Sequence, residues 1–180
     1  MKSTDSNHNP QALELSCVLT SLYFNQDDKN PSFEITPTIR TDLEDACSFQ
    51  MNWFKIFKEQ KLKSSDFMCT VRDKKTGDIV GYTAGRYRPK DCDGSRVSID
   101  FIERSPNSPK GYMIKLAIQF AYILAIAQDC KNIKISNPIT YLIKYYEAEM
   151  SNPVFVQRGN HNFIMESLDA NKIKEMNLPL

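Results

Sequence analysis

The sequence predicts an α+β fold, in which one mixed, mostly antiparallel sheet is flanked by helices. Three observations carry that prediction. Three strand-like runs follow one another between residues 67 and 104, separated only by tight turns. An almost wholly apolar helix, YMIKLAIQFAYILAIA at 112–127, then stands between the last of these runs and a further short strand at 132–136. The 180 residues are the length of one ordinary domain, and 41% hydrophobic content supplies a core for it.

The N-terminal part is the least regular. Residues 1–10 are polar and expected to be disordered, 11–24 are expected to form a helix, and QDDKNP at 26–31 a loop. FEITPTIR at 33–40 carries β-formers in loose alternation and reads as a strand kinked at Pro37. One helix is then expected from 41 to about 60. Thr41 is its N-cap, and Glu44, three residues on, completes a capping box. Leu43, Ala46, Cys47, Met51, Phe54 and Phe57 recur at helical spacing along it. On that reading Asp42, Glu44 and Asp45 are helix-start charges favoured by the dipole.

The meander comes next. FMCTVRD (67–73), IVGYTAGRYR (79–88) and VSIDFIER (97–104) are joined by KKTGD and by DCDG, both containing glycine. Gly81 and Gly85 inside the middle run predict a bulge or the close approach of another backbone. The loop SPNSPKG at 105–111 leads into the apolar helix. Strand, crossover helix and strand make a βαβ unit, so 97–104 and NIKIS at 132–136 should be parallel neighbours. NPITYLIKYYEAEM at 137–150 is expected to be helical, capped by Asn137 with Pro138 in its first turn. VFVQR and NFIMESL, joined through GNH, read as a last hairpin. The chain is expected to divide into an N-terminal extension, 1–30, and one domain, 31–180.

Composition narrows the function. With 23 basic and 22 acidic residues the formal net charge is +1, which argues against a nucleic-acid binder held by a broad basic field. The five cysteines form no CxxC pair. Cys47, Cys69 and Cys130 sit in apolar runs and are expected to act as small hydrophobes. Two histidines are too few for a histidine-based metal site, so no metal is expected. No secretory signal is visible at the start, and the apolar run at 112–127 is too short for a membrane span and contains Lys115 and Gln119. A cytoplasmic protein without a membrane partner, monomeric or homodimeric, is expected.

Four stretches carry a family resemblance. EITPTIRTDLEDA, VRDKKTGDIVGYTAGR, IERSPNSPKGYMIKLAIQFA and KISNPITYLIKYYEAEM, in this order and spacing, resemble the segments of the GNAT (GCN5-related N-acetyltransferase) superfamily over residues 33–168. The resemblance implies an N-acetyltransferase that moves an acetyl or other acyl group from acetyl-CoA to an amine of a small molecule or protein. The alternative is a degenerate GNAT-fold module that binds a ligand or partner without catalysis. In the family the loop before the apolar helix reads R/Q-x-x-G-x-G/A, and helix N–H groups hold the pyrophosphate of coenzyme A. Here Ser108 stands at the Arg/Gln position, Gly111 at the first Gly and Met113 at the last Gly/Ala, so only Gly111 is kept.

The resemblance also implies site residues. Pro109, Lys110, Gly111, Tyr112 and Met113 would cradle the pyrophosphate, and Lys110 could add a cation near it. The competing reading is that Ser108 merely N-caps the helix with Pro109 in first position. A Glu at Gly111 is expected to spoil binding and spare the fold, because acidic residues suit a helix's first turn. The fourth strand should splay from the fifth, with Phe101, Ile102 and Glu103 offering backbone groups to the pantetheine arm. Asn137 belongs to the same binding set. Tyr146 or Tyr145 would protonate the leaving thiolate, with Tyr146 preferred because EAEM then falls where the family reads Y-x-x-x. Acyl transfer to an amine also needs a base. Asp100, Glu103 and Glu59 are the candidates, with Glu59 and Glu103 preferred. Asp100 and Glu103 are expected on opposite faces of the strand because their separation is odd.

Overall fold

Helix α1 (Pro10–Phe24) opens the computed structural model, which describes residues 10–27, 29–44, 46–61, 65–91 and 94–168. The disorder expected of 1–10, as far as residue 9, and the helix-start role expected of Asp45 lie outside those residues. After α1 come β1 (Phe33–Pro37), two 3-10 turns (Arg40–Leu43 and Ala46–Ser48) and α2 (Trp53–Lys61). The meander is β2 (Asp66–Asp73), β3 (Ile79–Arg88) and β4 (Arg96–Arg104). Then follow α3 (Tyr112–Ala127), β5 (Asn132–Ser136), a 3-10 turn (Thr140–Leu142), α4 (Ile143–Glu149), β6 (Val154–Arg158) and β7 (His161–Ser167). The seven strands form one sheet in the order β1-β2-β3-β4-β5-β7-β6. Neighbours are antiparallel except β4 and β5, which are parallel with α3 crossing between them. The mixed sheet and the βαβ unit thus stand as the sequence predicts.

The two faces of the sheet are covered differently. On one face, α1 and α3 bury the larger core, which includes Phe24, Phe33, Ile99, Leu116 and Phe120. Helix α1 can lie close because its buried stripe is of small residues, Ala12, Ser16, Cys17, Thr20 and Ser21, up to Phe24 at its end. The buried hydroxyls are satisfied inside the helix. Ser16, Thr20 and Ser21 each donate to the carbonyl four residues back, at 2.6, 2.6 and 2.9 Å. On the other face, Leu43, Phe49, Trp53, Met68 and Tyr82 make a second core. No helix among the described residues is long and apolar enough to cross a membrane.

The single helix expected over 41–60 is not formed, and the reason is long-range. The Asp42 carboxylate is buried and accepts from Ile39 N at 3.0 Å, Thr70 Oγ1 at 2.9 Å and Arg72 Nη2 at 2.5 Å. Glu103, on β4, accepts from Gln50 N at 2.5 Å, Met51 N at 3.0 Å and Trp53 Nε1 at 2.7 Å. Two backbone N–H groups inside 41–60, those of Gln50 and Met51, are therefore spent on Glu103, and only the last stretch stays α-helical. Thr41 is not a cap, Asp42 stands in the first turn of the 3-10 segment and is also a buried ion-pair partner of Arg72, and Cys47 is exposed while Cys17, Cys69 and Cys130 are buried. The helix expected at 137–150 likewise starts late. Asn137 has φ 47° and its N–H donates to Asn162 O at 2.7 Å, so it turns the chain instead of capping.

Both glycines singled out in β3 sit at close approaches. A Cβ on Gly85 would lie 1.9 Å from the Ser98 carbonyl oxygen, beside the bulge where the β3–β4 register shifts. A Cβ on Gly81 would lie 2.6 Å from the Glu103 carbonyl oxygen and 2.6 Å from Met113 Sδ. Gly85→Ala should therefore destabilise the fold by ~2 kcal/mol or more, because the backbone atom it meets cannot rotate away. Urea denaturation followed by circular dichroism measures this, and an unchanged midpoint would contradict it.

Candidate functional site

The site begins where two parallel strands part. Strand β4 pairs with β5 from Arg96↔Asn132 to Ile99↔Ile135 and no further. Beyond that point β4 continues to Arg104 and keeps its pairing with β3 on the other side. The parting coincides with a bulge. Ile99 pairs with Gly85 and Phe101 with Ala84, which leaves Asp100 as the extra residue on β4. A bulge bends its strand and ends regular pairing, so one edge of residues 101–104 faces a gap instead of a neighbour.

The bulge also resets the faces of the strand. Phe101 lies opposite Ala84 and Glu103 opposite Tyr82, both of which belong to the core away from α3. Asp100 reaches Arg86 on that same face, with Arg86 Nε at 2.5 Å from Asp100 Oδ2. Asp100 and Glu103 are thus on one face despite their odd separation, contrary to the parity expectation. Ile102 points to the α3 side.

Two cavities flank the gap. The one on the α3 side has about 630 Å³ and is lined by Ile102, Arg104, Lys110, Gly111, Met113 and the tyrosines of the α4 region. That size lies within the usual range of small-molecule sites. The N-terminus of α3 opens into it. Gly111 is the N-cap with φ 91°, no side chain caps the helix, and its first turn holds no acidic residue. The first N–H groups of α3 therefore meet the cavity without a side-chain acceptor, beside the exposed Lys110. Arg104 holds the preceding loop by donating from Nη1 to the carbonyls of Ser105 at 2.8 Å, Pro106 at 3.1 Å and Ser108. Those carbonyl oxygens, which would repel an anion, are engaged by a cation.

Two expectations about this loop change. Ser108 is not the N-cap and Pro109 is not in the first turn, because α3 starts three residues later. A Glu at Gly111 would not be harmless to the fold, since a φ of 91° disfavours any side chain although nothing lies within 4 Å of its Cβ position. The off-pattern Met113 also finds a place. Its side chain is buried, packed over Gly81 on β3, so a large residue in the first turn is taken up by a glycine on the sheet.

The smaller cavity, about 70 Å³, lies at the parting itself and is lined by Met51, Asp100, Phe101, Asn137, Ile139 and Tyr146 among others. Tyr146 borders both cavities. It is 6% exposed, and its hydroxyl pKa is raised by burial and then by Tyr141, so it keeps its proton at neutral pH. Tyr145, one position away on the helix, is 59% exposed at the rim of the larger cavity. Helix α4 is held in place from below. The buried Glu166 of β7 accepts from Tyr122 Oη on α3, from Ser151 N at 3.1 Å and from Asn152 N at 3.0 Å.

The carboxylates named from sequence fare differently. Glu103 has both oxygens taken by the 50–53 segment, where it fixes Met51 against the gap. Glu59 is 62% exposed on α2, 3.9 Å from Lys55, and lines neither cavity. Asp100 has a side chain only 7% exposed, lines the smaller cavity, and its buried Oδ1 has no hydrogen-bond partner. Of the residues expected to cradle a pyrophosphate, Lys110, Gly111 and Met113 line the larger cavity, whereas Tyr112 packs against Phe24 and Phe33. Phe101 and Asn137 belong to the smaller one, and Ile102 to both.

No protein-family model and no curated protein matches the sequence. Solved structures do. Spermidine N-acetyltransferase from Vibrio cholerae, in complex with CoA and spermine, is similar at TM-score 0.56 and 14% identity, over 77% of this chain and 96% of that one. N-acetyltransferase PseH from Campylobacter jejuni is similar at TM-score 0.55 and 10% identity, over 76% and 99%. Glucosamine-6-phosphate N-acetyltransferase from Arabidopsis thaliana is similar at TM-score 0.54 and 14% identity, over 71% and 97%. At such identities the likeness is one of fold.

Trp53 is the only tryptophan in the chain, so the Glu103 anchor has its own reporter. Glu103→Ala should strand three donors and cost on the order of 2 kcal/mol. Tryptophan emission should shift to the red as the 50–53 segment loosens. Unchanged emission and an unchanged melting temperature would contradict the anchoring role.

Proposed function

We propose that this chain, which has the fold of the GNAT superfamily, is an acyl-CoA-dependent N-acyltransferase. The observation that carries the reading is the joining of three features in one cleft: an uncapped helix N-terminus, an unpaired strand edge and a protonated tyrosine. Each matches a part of an acyl-coenzyme A. The pyrophosphate is an anion and suits the N–H groups of Gly111, Tyr112 and Met113 beside Lys110. The pantetheine arm carries amides and suits the free edge of Phe101, Ile102 and Glu103, as an added strand would. The thioester then comes to the parting, near Asn137, Tyr146 and Asp100.

The chemistry follows from what each group holds. An ammonium first gives one proton to solvent water; the neutral amine nitrogen then attacks the thioester carbon, and the C–N bond forms as the C–S bond breaks. One amine proton passes to Asp100 Oδ1, the carboxylate oxygen left without a partner. Tyr146 gives its hydroxyl proton to the departing sulfur, and exchange with water resets both groups. Tyr146 is preferred to Tyr145 because burial both aims it and keeps it protonated. Asp100 takes the base's part in preference to Glu103, whose oxygens are already engaged, and to Glu59, which lies on the surface. Acetyl-CoA is the expected donor. The degenerate, non-catalytic reading rests on the off-pattern Ser108 and Met113, and the packing of Met113 over Gly81 weakens it.

Two measurements test the proposal. Calorimetry should show acetyl-CoA binding to the wild type and at least tenfold weaker binding to Lys110→Glu. One unit charge ~4 Å from a phosphate is worth about 4 kcal/mol at an effective dielectric near 20, so reversing it changes the interaction by about 8 kcal/mol before screening, and a quarter of that remains more than tenfold. No binding by the wild type would refute the reading. Tyr146→Phe should lower kcat far more than it weakens acetyl-CoA binding, because the hydroxyl acts only as the thiolate leaves. The alkaline limb of the kcat profile should lie above the ordinary tyrosine value of about 10, since burial raises this hydroxyl, and should vanish in the variant. Unchanged turnover would remove Tyr146 from the reaction.

A further inference from the structure

We infer that the acyl acceptor is a primary amine with a single positive charge and an apolar body beside it, entering from the face of the sheet away from α3. The inference rests on the acyl-transfer reading above and goes on to name the acceptor class. Its basis is the lining of the smaller cavity. The floor is the Asp100 carboxylate, buried, with Oδ1 unpartnered and Oδ2 held by Arg86. An unpaired buried carboxylate oxygen calls for a donor, and an ammonium or amine head supplies one. The rim is apolar. Phe101 is 37% exposed and Ile139 48% exposed, and Met51 stands opposite, fixed by the Glu103 anchor.

Size and charge then select among amines. The cavity has about 70 Å³ against about 630 Å³ on the α3 side, so the amine head enters and the body rests on the rim. Among the described residues that line it, Asp100 alone is charged. A polyamine would bring a second ammonium onto Phe101, Ile139 and Met51 with no carboxylate to meet it. A phosphorylated amino sugar would bring an anion, and Arg86, which reaches the floor of this cavity, is already bonded to Asp100. Either loses hydration without compensation, whereas an apolar body gains from the same contacts. The uncharged, apolar rim is therefore a specificity device as well as a surface.

The test is a steady-state panel with the full chain and saturating acetyl-CoA, comparing 2-phenylethylamine and n-hexylamine with spermidine and glucosamine 6-phosphate. The apolar monoamines should be acetylated with kcat/KM at least tenfold higher than the other two. Asp100→Asn, which keeps an acceptor for Arg86, should raise the KM for amines at least tenfold and leave acetyl-CoA affinity unchanged. Phe101→Ser, at an exposed position, should reduce the preference for 2-phenylethylamine over methylamine. A preference for spermidine or the phosphosugar would overturn the inference while leaving acyl transfer intact. Acetyl-CoA binding with no acetylation of any of the four would overturn it too. Failure to bind acetyl-CoA at all would bring down the acyl-transfer reading and the inference with it.

Discussion

Everything at the site depends on β4 letting go of β5 after Ile99. A parallel pair that stayed zipped would leave neither a gap for an extended ligand nor a passage between the faces of the sheet. The bulge at Asp100 is the physical cause, since an extra residue on one strand cannot remain in register with both neighbours. Strand β4 keeps its partner β3 and gives up β5. One inserted residue thereby exposes a strand edge and turns a carboxylate toward the opening. It also puts Phe101 on the same side as Asp100.

The rest of the fold supports that opening from both sides. On one face, the apolar α3 crosses the sheet and delivers its N-terminus to the larger cavity, with Met113 seated over Gly81. Glu166 ties α3, the residues after α4 and β7 together, and so fixes the helix that carries Tyr146. On the other face, Glu103 gathers the 50–53 segment and sets Met51 against the smaller cavity. Buried carboxylates fully met by donors act as tethers here. Asp100, met on one oxygen only, is the exception, and it is the carboxylate at the opening.

What was legible in the sequence was local. The strands of the meander, the apolar crossover helix and the final hairpin announce themselves through period and turn residues, and all appear within a residue or two of their expected bounds. Gly81 and Gly85 marked close approaches because a glycine in a strand has few other uses. The segment 41–60 misled because its helical spacing is real but two of its N–H groups, those of Gln50 and Met51, are claimed by Glu103, a residue some fifty positions away. No window of sequence contains that competition. The faces of Asp100 and Glu103 misled for a related reason: parity along a strand holds only where no residue is inserted, and the bulge shows only in the pairing of β4 with β3. Spacing after Asn137 leaves Tyr145 and Tyr146 open, the family pattern over EAEM favours Tyr146, and burial distinguishes the two.

The central claim is that an acyl-coenzyme A lies in the gap left by β5, against the edge of β4. Hydrogen exchange with and without coenzyme A tests it most directly, because an added strand must protect the amides it pairs with. The account predicts new protection at 101–104 and at the first turn of α3, 111–114, with little change in β1 and β2. Coenzyme A binding that leaves those amides exchanging at their free rate would contradict it.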